Sequence, residues 1–298
     1  MCKELLTTYL AHGRPHAAVH LLAPHTTPGK SPPAALLADA LEAVLQTPAT
    51  DDLPPGCLPL DVSELLNVVS ASQEIDENRV AALEWAYLPL VGPGIREPKI
   101  LHRELARSPG FFAQIVSLVF CAEGEEPREL SAQGQARVEV GHKLLQSWRT
   151  VPGTSEEGTI DAGKLRDWVM QAREAMRATG HGPVGDQLIG QVLSGSPGGD
   201  DGAWPHPAVR DLIEELASPK LERGLEFGLY NSRGVVWRQW AEGGAQERQL
   251  ADRYAGFATA IRDRWPRTAA MLRRMEHRYN AEAGHQDHDA ELREDLDR

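Results

Sequence analysis

A short block in the second half of the chain places an aromatic ring and an imidazole at the start of a predicted helix. Trp204 and His206 stand in the sequence Trp-Pro-His-Pro, and a proline such as Pro207 is typical of the first position of a helix. Free N–H groups at a helix N-terminus favour an anion, which makes Trp204 and His206 candidate binding residues. The alternative is a structural one, in which His206 only caps the helix and the block is a buried loop.

The loop from Tyr230 to Arg238 collects polar groups between two predicted helices, beside two tryptophans. Arg233 or Arg238 could hold an anionic group through the fork of N–H donors on a guanidinium. We therefore name Tyr230, Asn231, Arg233 and Arg238 as candidate ligand or partner contacts. In the structural alternative, Asn231 ends a helix and Arg233 reaches a carboxylate on a neighbouring helix.

Two groups of histidines have spacings that suit a metal ion. His16 and His20 are four residues apart and share a helix face, but Gly13 and Pro15 separate them from His12. The second group stands in the acidic tail and consists of His285, Asp287, His288 and Asp289. Neither group has evident supporting ligands, so we predict no metal site and no cofactor.

Local enzyme signatures are not found in the sequence: it has no GxSxG, GxxxxGK[ST] or HExxH motif, and no GxGxxG after a strand. We therefore assign no catalytic residue. A helical enzyme can still build its site from scattered carboxylates, and Glu84, Glu104, Glu123 and Asp186 are candidates for one that includes the Tyr230 to Arg238 loop. Salt-bridging or solvated roles are the alternative for all four.

The elements that must position these residues are helices. Apolar residues recur at helical spacing through most of the chain, and two tryptophans, Trp168 and Trp265, continue such stripes, so we expect both in the core. Helix starts are marked at Ser108-Pro109, His206-Pro207, Ser218-Pro219 and Asp61 with Glu64. The best candidate strand is the short stretch 235–237. The pattern predicts an all-α fold, either a helical bundle or an irregular helical solenoid.

Proline-rich joints indicate the domain organisation. They lie at 24–33 and 48–59 and isolate an N-terminal helix pair, residues 1–48. This pair is similar to one unit of a tetratricopeptide array. It could therefore continue a longer solenoid. A main helical domain is predicted for 60–284. Residues 285–298 are acidic and lack an apolar stripe, so we expect a disordered tail.

Composition limits the functional classes. The chain has 298 residues, 41% of them hydrophobic, three separated cysteines and a formal net charge of −12. We expect a cytoplasmic protein with reduced thiols, no membrane insertion and a protein partner; a small-molecule ligand is left open. The acidity disfavours nucleic acid. Residues 245–280 are an exception, because they contain eight arginines and only four acidic residues. Nucleic-acid binding therefore stays open as an alternative. The opposite charges of the two segments also predict that the acidic tail lies over these arginines.

From EWAYLPLV at Glu84 onward, the chain resembles the C-terminal region of large, mostly uncharacterised bacterial proteins that carry helical repeats. The similar stretches are ILHRELARSPGFF, SWRTVPGT, GAWPHPAVRDLIEEL, LERGLEFGLYNSRGV and GGAQERQLADRYAGFA. The resemblance implies an accessory or sensing module, with phage defence as one setting, and carries over no catalytic residue. We therefore predict a non-catalytic interaction or regulatory module, with an enzyme and a nucleic-acid-binding protein as the alternatives.

Overall fold

The computed structural model describes residues 2–26, 31–48, 57–155, 157–232 and 243–296. Across these ranges it has fourteen α-helices and no strand, and one isolated antiparallel bridge joins Thr154 and Ile160. The all-α prediction is confirmed. The candidate strand at 235–237 lies outside the described residues.

The helices are numbered α1 to α14 in chain order. The first seven span Cys2–Ala11, Pro15–Leu22, Ala34–Gln46, Cys57–Ala71, Glu77–Ile95, Lys99–Arg107 and Pro109–Val119, and the last seven span Ala132–Ser147, Ala162–Ala178, Gly182–Leu193, Pro207–Leu216, Pro219–Ser232, Ala245–Ile261 and Pro266–Leu296. Within the described part of the chain, no helix combines the length and the apolar character needed to cross a membrane.

The chain divides into two compact units. Unit 1 comprises Met1–Leu105 and Gln114–Trp148, and unit 2 comprises Ala106–Ala113 and Arg149–Arg298. This division differs from the expected boundary near residue 48. The reason is that α2 packs on α4, and α3 packs on both α4 and α5, so the first three helices share a core with the helices that follow.

In unit 1, α1 to α5 form a solenoid-like succession in which each of the first three helices contacts the next two. Gly13, whose φ is 66°, makes the turn between α1 and α2, a backbone conformation that glycine adopts without strain. The expected helix pair is thus present at the N-terminus. One apolar core runs from α1 to the start of α6 and includes the fully buried Leu37, Leu41 and Leu65.

Two of the predicted helix starts are confirmed by capping hydrogen bonds. Ser108 Oγ accepts from the N–H of Phe111 at 3.1 Å, and Ser218 Oγ accepts from the N–H of Leu221 at 3.3 Å. Both serines satisfy one of the N–H groups that a helix start leaves without an intrahelical partner.

The helix start predicted at Asp61 is wrong, because α4 already begins at Cys57. Pro59 falls in the first turn, where a missing N–H costs no helical hydrogen bond, so it does not delay the helix. Asp61 lies inside α4 and binds His20 instead of capping.

Unit 2 contains the start of α7 and the helices α9 to α14. The helices α10 and α12 pack closely, because two glycines allow their backbones to approach each other. A Cβ on Gly224 would lie 1.9 Å from the carbonyl oxygen of Gln187, and one on Gly190 would lie 2.0 Å from that of Leu221. The predicted core positions of Trp168 and Trp265 are confirmed, with exposed fractions of 5% and 6%.

The acidic segment expected to be a disordered tail is helical, because α14 continues without a break to Leu296. Ala283 and Asp287 hold this part of α14 against the start of α13: the backbone of Ala283 touches Gly244, and Asp287 accepts the Gly244 N–H at 2.9 Å. As far as Leu296, the acidic segment extends α14 and does not turn back along the arginines of the same helix. Among those of 245–280 it contacts Arg248, through Asp287.

Candidate functional site

The Trp204 to His206 block of unit 2 has the structural role that was one of its two interpretations. The Trp204 indole N–H donates to the carbonyl of Ser196 at 2.8 Å, and the ring meets Tyr254 edge-on. His206 precedes α11 and caps it, since Nδ1 accepts the N–H of Ala208 at 3.2 Å. Because Nδ1 accepts this hydrogen bond, a neutral His206 imidazole carries its proton on Nε2.

Arg210 is fully buried and holds the Trp204 to His206 block in place. Its guanidinium donates to both carboxylate oxygens of Asp201, at 2.5 and 2.9 Å, and to the carbonyls of Ala203 and Pro205. The guanidinium lowers the pKa of Asp201 to about 2, against desolvation. The sequence contained no signal for Arg210, because Asp201 is nine residues away, beyond the spacing of partners on one helix.

Tyr230 and Asn231 lie in the last turns of α12, not in a loop, because this helix continues to Ser232. The Tyr230 ring is 41% exposed and stacks with the Arg278 guanidinium of α14, 5.3 Å from the ring centroid. Arg233 and Arg238 lie outside the described residues. No hydrogen bond or ring contact between described residues brings Tyr230 or Asn231 together with the Trp204 block.

The most deeply buried of the candidate carboxylates, Glu84, caps a distant helix. One of its oxygens accepts the N–H groups of Ile100 and Leu101 in the first turn of α6, at 2.9 and 3.0 Å, and the other accepts from Arg96 at 2.8 Å. Glu84 is 1% exposed. One oxygen therefore holds the start of α6 and the other holds Arg96, which supports the structural alternative for Glu84.

The carboxylate oxygens of Asp186, in unit 2, are also occupied by hydrogen bonds. It accepts from Arg173 at 2.7 and 2.9 Å and from the Ser218 hydroxyl at 2.6 Å, which joins α9 and α10 to the start of α12. Glu104 is half-buried and Glu123 is exposed. Glu84, Glu104 and Glu123 belong to unit 1, and Asp186 belongs to unit 2.

The histidines of α1 and α2 do not converge either. His20 binds Asp61 at 2.7 Å, His12 binds the carbonyl of Thr8 at 2.7 Å, and His16 is buried. Among the described residues, no group of three or more His, Cys, Asp or Glu is placed to hold one metal ion.

A serine and histidine pair that the sequence did not indicate lies in unit 1. His102 Nε2 is 2.9 Å from Ser147 Oγ, at the end of α8. An activated serine gives its proton to the imidazole, but Ser147 Oγ donates to the carbonyl of Leu144 at 3.1 Å. His102 and Ser147 thus link α6 and α8, and the Ser147 hydroxyl has an acceptor other than the imidazole.

One cavity among the described residues is the α3–α4 groove of unit 1, which has a volume of about 520 Å³. Its apolar lining, called the floor here, consists of small side chains of α3 and α4, and its polar lining consists of one amide, two carboxylates and three hydroxyl groups. The apolar residues are Ala34, Val68 and Ala71, and the polar ones are Asn67, Glu64, Glu74, Thr26, Ser31 and Ser72. Small apolar surfaces with a few polar groups are typical of ligand pockets of this size.

Asn67 has a fixed orientation in the α3–α4 groove. Arg96 Nε donates to Asn67 Oδ1 at 3.0 Å, and arginine can only donate, so the carbonyl oxygen must face Arg96. Arg96 is itself 8% exposed and held by Glu84. The NH₂ group is therefore the polar group that Asn67 can offer to a ligand.

Comparisons of the chain with protein-family models, with curated proteins and with solved structures return no match. The resemblance to C-terminal regions of large bacterial repeat proteins stays a prediction. Function has to be inferred from the geometry of the described residues.

Proposed function

We propose that this chain is a non-catalytic interaction module that binds a segment of a partner protein in the α3–α4 groove. The observation that carries the proposal is the combination of an apolar floor, Ala34, Val68 and Ala71, with a fixed amide, Asn67, in one cavity. A regulatory or sensing role in a larger bacterial, cytoplasmic system belongs to the same proposal and stays a prediction.

The groove continues along an accessible stripe of α4. Leu60, Glu64, Asn67 and Ala71 follow one another at intervals of three or four residues and are all exposed. Leu60 is the most exposed large apolar side chain among the described residues, at 59%. A partner segment that follows this stripe would cover Leu60 together with the groove floor, and such apolar burial drives association.

Buried carboxylates support the interaction role over an enzyme. Glu84 and Asp186 have their oxygens occupied by arginines and by helix or serine donors, so neither is available for proton transfer. Nucleic-acid binding also loses support, because Arg267 and Arg274 of α14 pair with the buried Glu222 of α12. Two of the eight arginines that suggested it are thereby paired within unit 2.

The proposal is tested by filling the groove. Peptides selected from a random displayed library on the full chain should bind the wild type and lose at least tenfold in affinity with Ala71→Trp. The matched control is Ala11→Trp, because Ala11 is also exposed and also the last residue of a helix. Peptides that bind both variants equally would show that the groove is not the binding site.

A further inference from the structure

We infer that the α3–α4 groove recognises a segment carrying a basic side chain, lysine or arginine, whose cationic group pairs with Glu64 or Glu74. This inference rests on the proposed function and names the chemistry of the partner. The groove then contacts the partner through apolar, hydrogen-bonding and ionic interactions.

The charge of the lining is the first observation. Among the described residues, the ionisable groups of its lining are Glu64 and Glu74, and both are acidic. In the described part of the chain, neither makes an ion pair with a lysine or arginine, whereas Glu42, on the neighbouring α3, is paired with Arg79. Carboxylates in the lining of a cavity favour a cation over an anion there.

The surroundings reinforce this preference. The ranges of unit 1 contain eighteen Asp and Glu against ten Lys and Arg, a formal charge of −8. An acidic surface steers basic partners toward it and repels acidic ones, and the effect weakens as salt screens the charges. A basic segment therefore gains in encounter rate and is favoured over an acidic one.

Asn67 adds a directional contact to the ionic one. Because Arg96 holds its oxygen, the amide nitrogen is available to donate to a main-chain carbonyl of the partner. The apolar floor of Ala34, Val68 and Ala71 leaves room for small or aliphatic side chains next to the basic one. The best ligand is thus a lysine or arginine flanked by alanine, valine or leucine.

The test uses four pools of short synthetic peptides that differ in one central residue, which is arginine, lysine, glutamine or glutamate. The flanking positions are mixtures of alanine, leucine, serine and glycine. Binding to the full chain is measured by fluorescence anisotropy at low and physiological salt. Since exposed ion pairs are individually weak, we expect the arginine and lysine pools to bind about five- to tenfold tighter than the glutamine pool at low salt.

Two double variants separate the groove carboxylates from the general charge of unit 1. Glu64→Gln with Glu74→Gln should abolish the preference for the basic pools. Glu123→Gln with Glu126→Gln removes the same charge from exposed positions of the same unit and should preserve it. Circular dichroism of each variant checks that the helices are intact.

The outcomes distinguish the two proposals. If all four pools bind alike and Ala71→Trp weakens them all, the groove binds peptides but the inference about a basic residue is wrong. If the preference survives in the Glu64 and Glu74 variant, it comes from diffuse charge and the inference is again wrong. If no pool binds, or binding ignores Ala71→Trp, the proposed function fails as well.

Discussion

Replacing Asp287 by alanine should destabilise unit 2, although this residue belongs to the segment that the sequence predicts to be a disordered tail. One Asp287 oxygen accepts the N–H of Gly244, the N-cap residue of α13, at 2.9 Å. The other oxygen pairs with Arg248 in the first turns of the same helix. The side chain therefore caps α13 from a position 43 residues away.

The magnitude follows from these two contacts. Loss of a capping acceptor costs about 0.5–2 kcal/mol, and loss of an exposed ion pair costs about 0–1 kcal/mol. The Asp287 side chain is 35% exposed, which places the ionic part at the lower end. We expect a total of about 1–2 kcal/mol, or a melting temperature lowered by about 2–8 °C. Asp287→Asn keeps an acceptor for Gly244 and should lose less.

The assay is thermal unfolding followed by circular dichroism, with hydrogen exchange of the first turn of α13 as the local measurement. Asp289→Ala is the matched control, because Asp289 is exposed, lies on the same helix and makes no hydrogen bond or ion pair with a described residue. Equal melting of the Asp287 and Asp289 variants, with unchanged exchange at α13, would refute the capping role.

Three further predictions concern Glu84, Gly224 and Asp201. Glu84→Ala should lower the free energy of unfolding by about 3–5 kcal/mol in urea titration, because it leaves Arg96 buried without its carboxylate; a change below about 1 kcal/mol would contradict this. Gly224→Ala should cost at least about 1–3 kcal/mol and lower the melting temperature, since the added methyl meets the Gln187 carbonyl at 1.9 Å; a variant that melts like the wild type would show that α10 and α12 can separate freely. The depressed pKa of Asp201 predicts stability that is full above its ordinary value of 3.8 and falls as pH approaches about 2; because the side chain is 44% exposed, we expect about 1 kcal/mol or less, checked by comparing acid unfolding with that of Asp201→Asn.

The sequence by itself determined the fold class, the existence of the helices and the burial of two tryptophans. Helical spacing of apolar residues depends only on neighbours within one or two turns, and a serine followed by proline at 108 or 218 acts on its own helix. Trp168 and Trp265 continue such stripes, and both are buried. These features are local, so periodicity and capping chemistry were sufficient to predict them.

Only the tertiary structure decided how the polar residues are used. A glutamate in a helical pattern has the same local signal whether it is solvated, catalytic or a cap, and the partners of Glu84 are 12 to 17 residues away. Asp287 holds the acidic helical segment against Gly244, 43 residues earlier in the chain. No apolar stripe in the sequence predicts that contact. The α3–α4 groove likewise combines the start of α3 with one face of α4 and the turn after it. Its shape and charge arise when these surfaces pack, because no single stretch of sequence carries them.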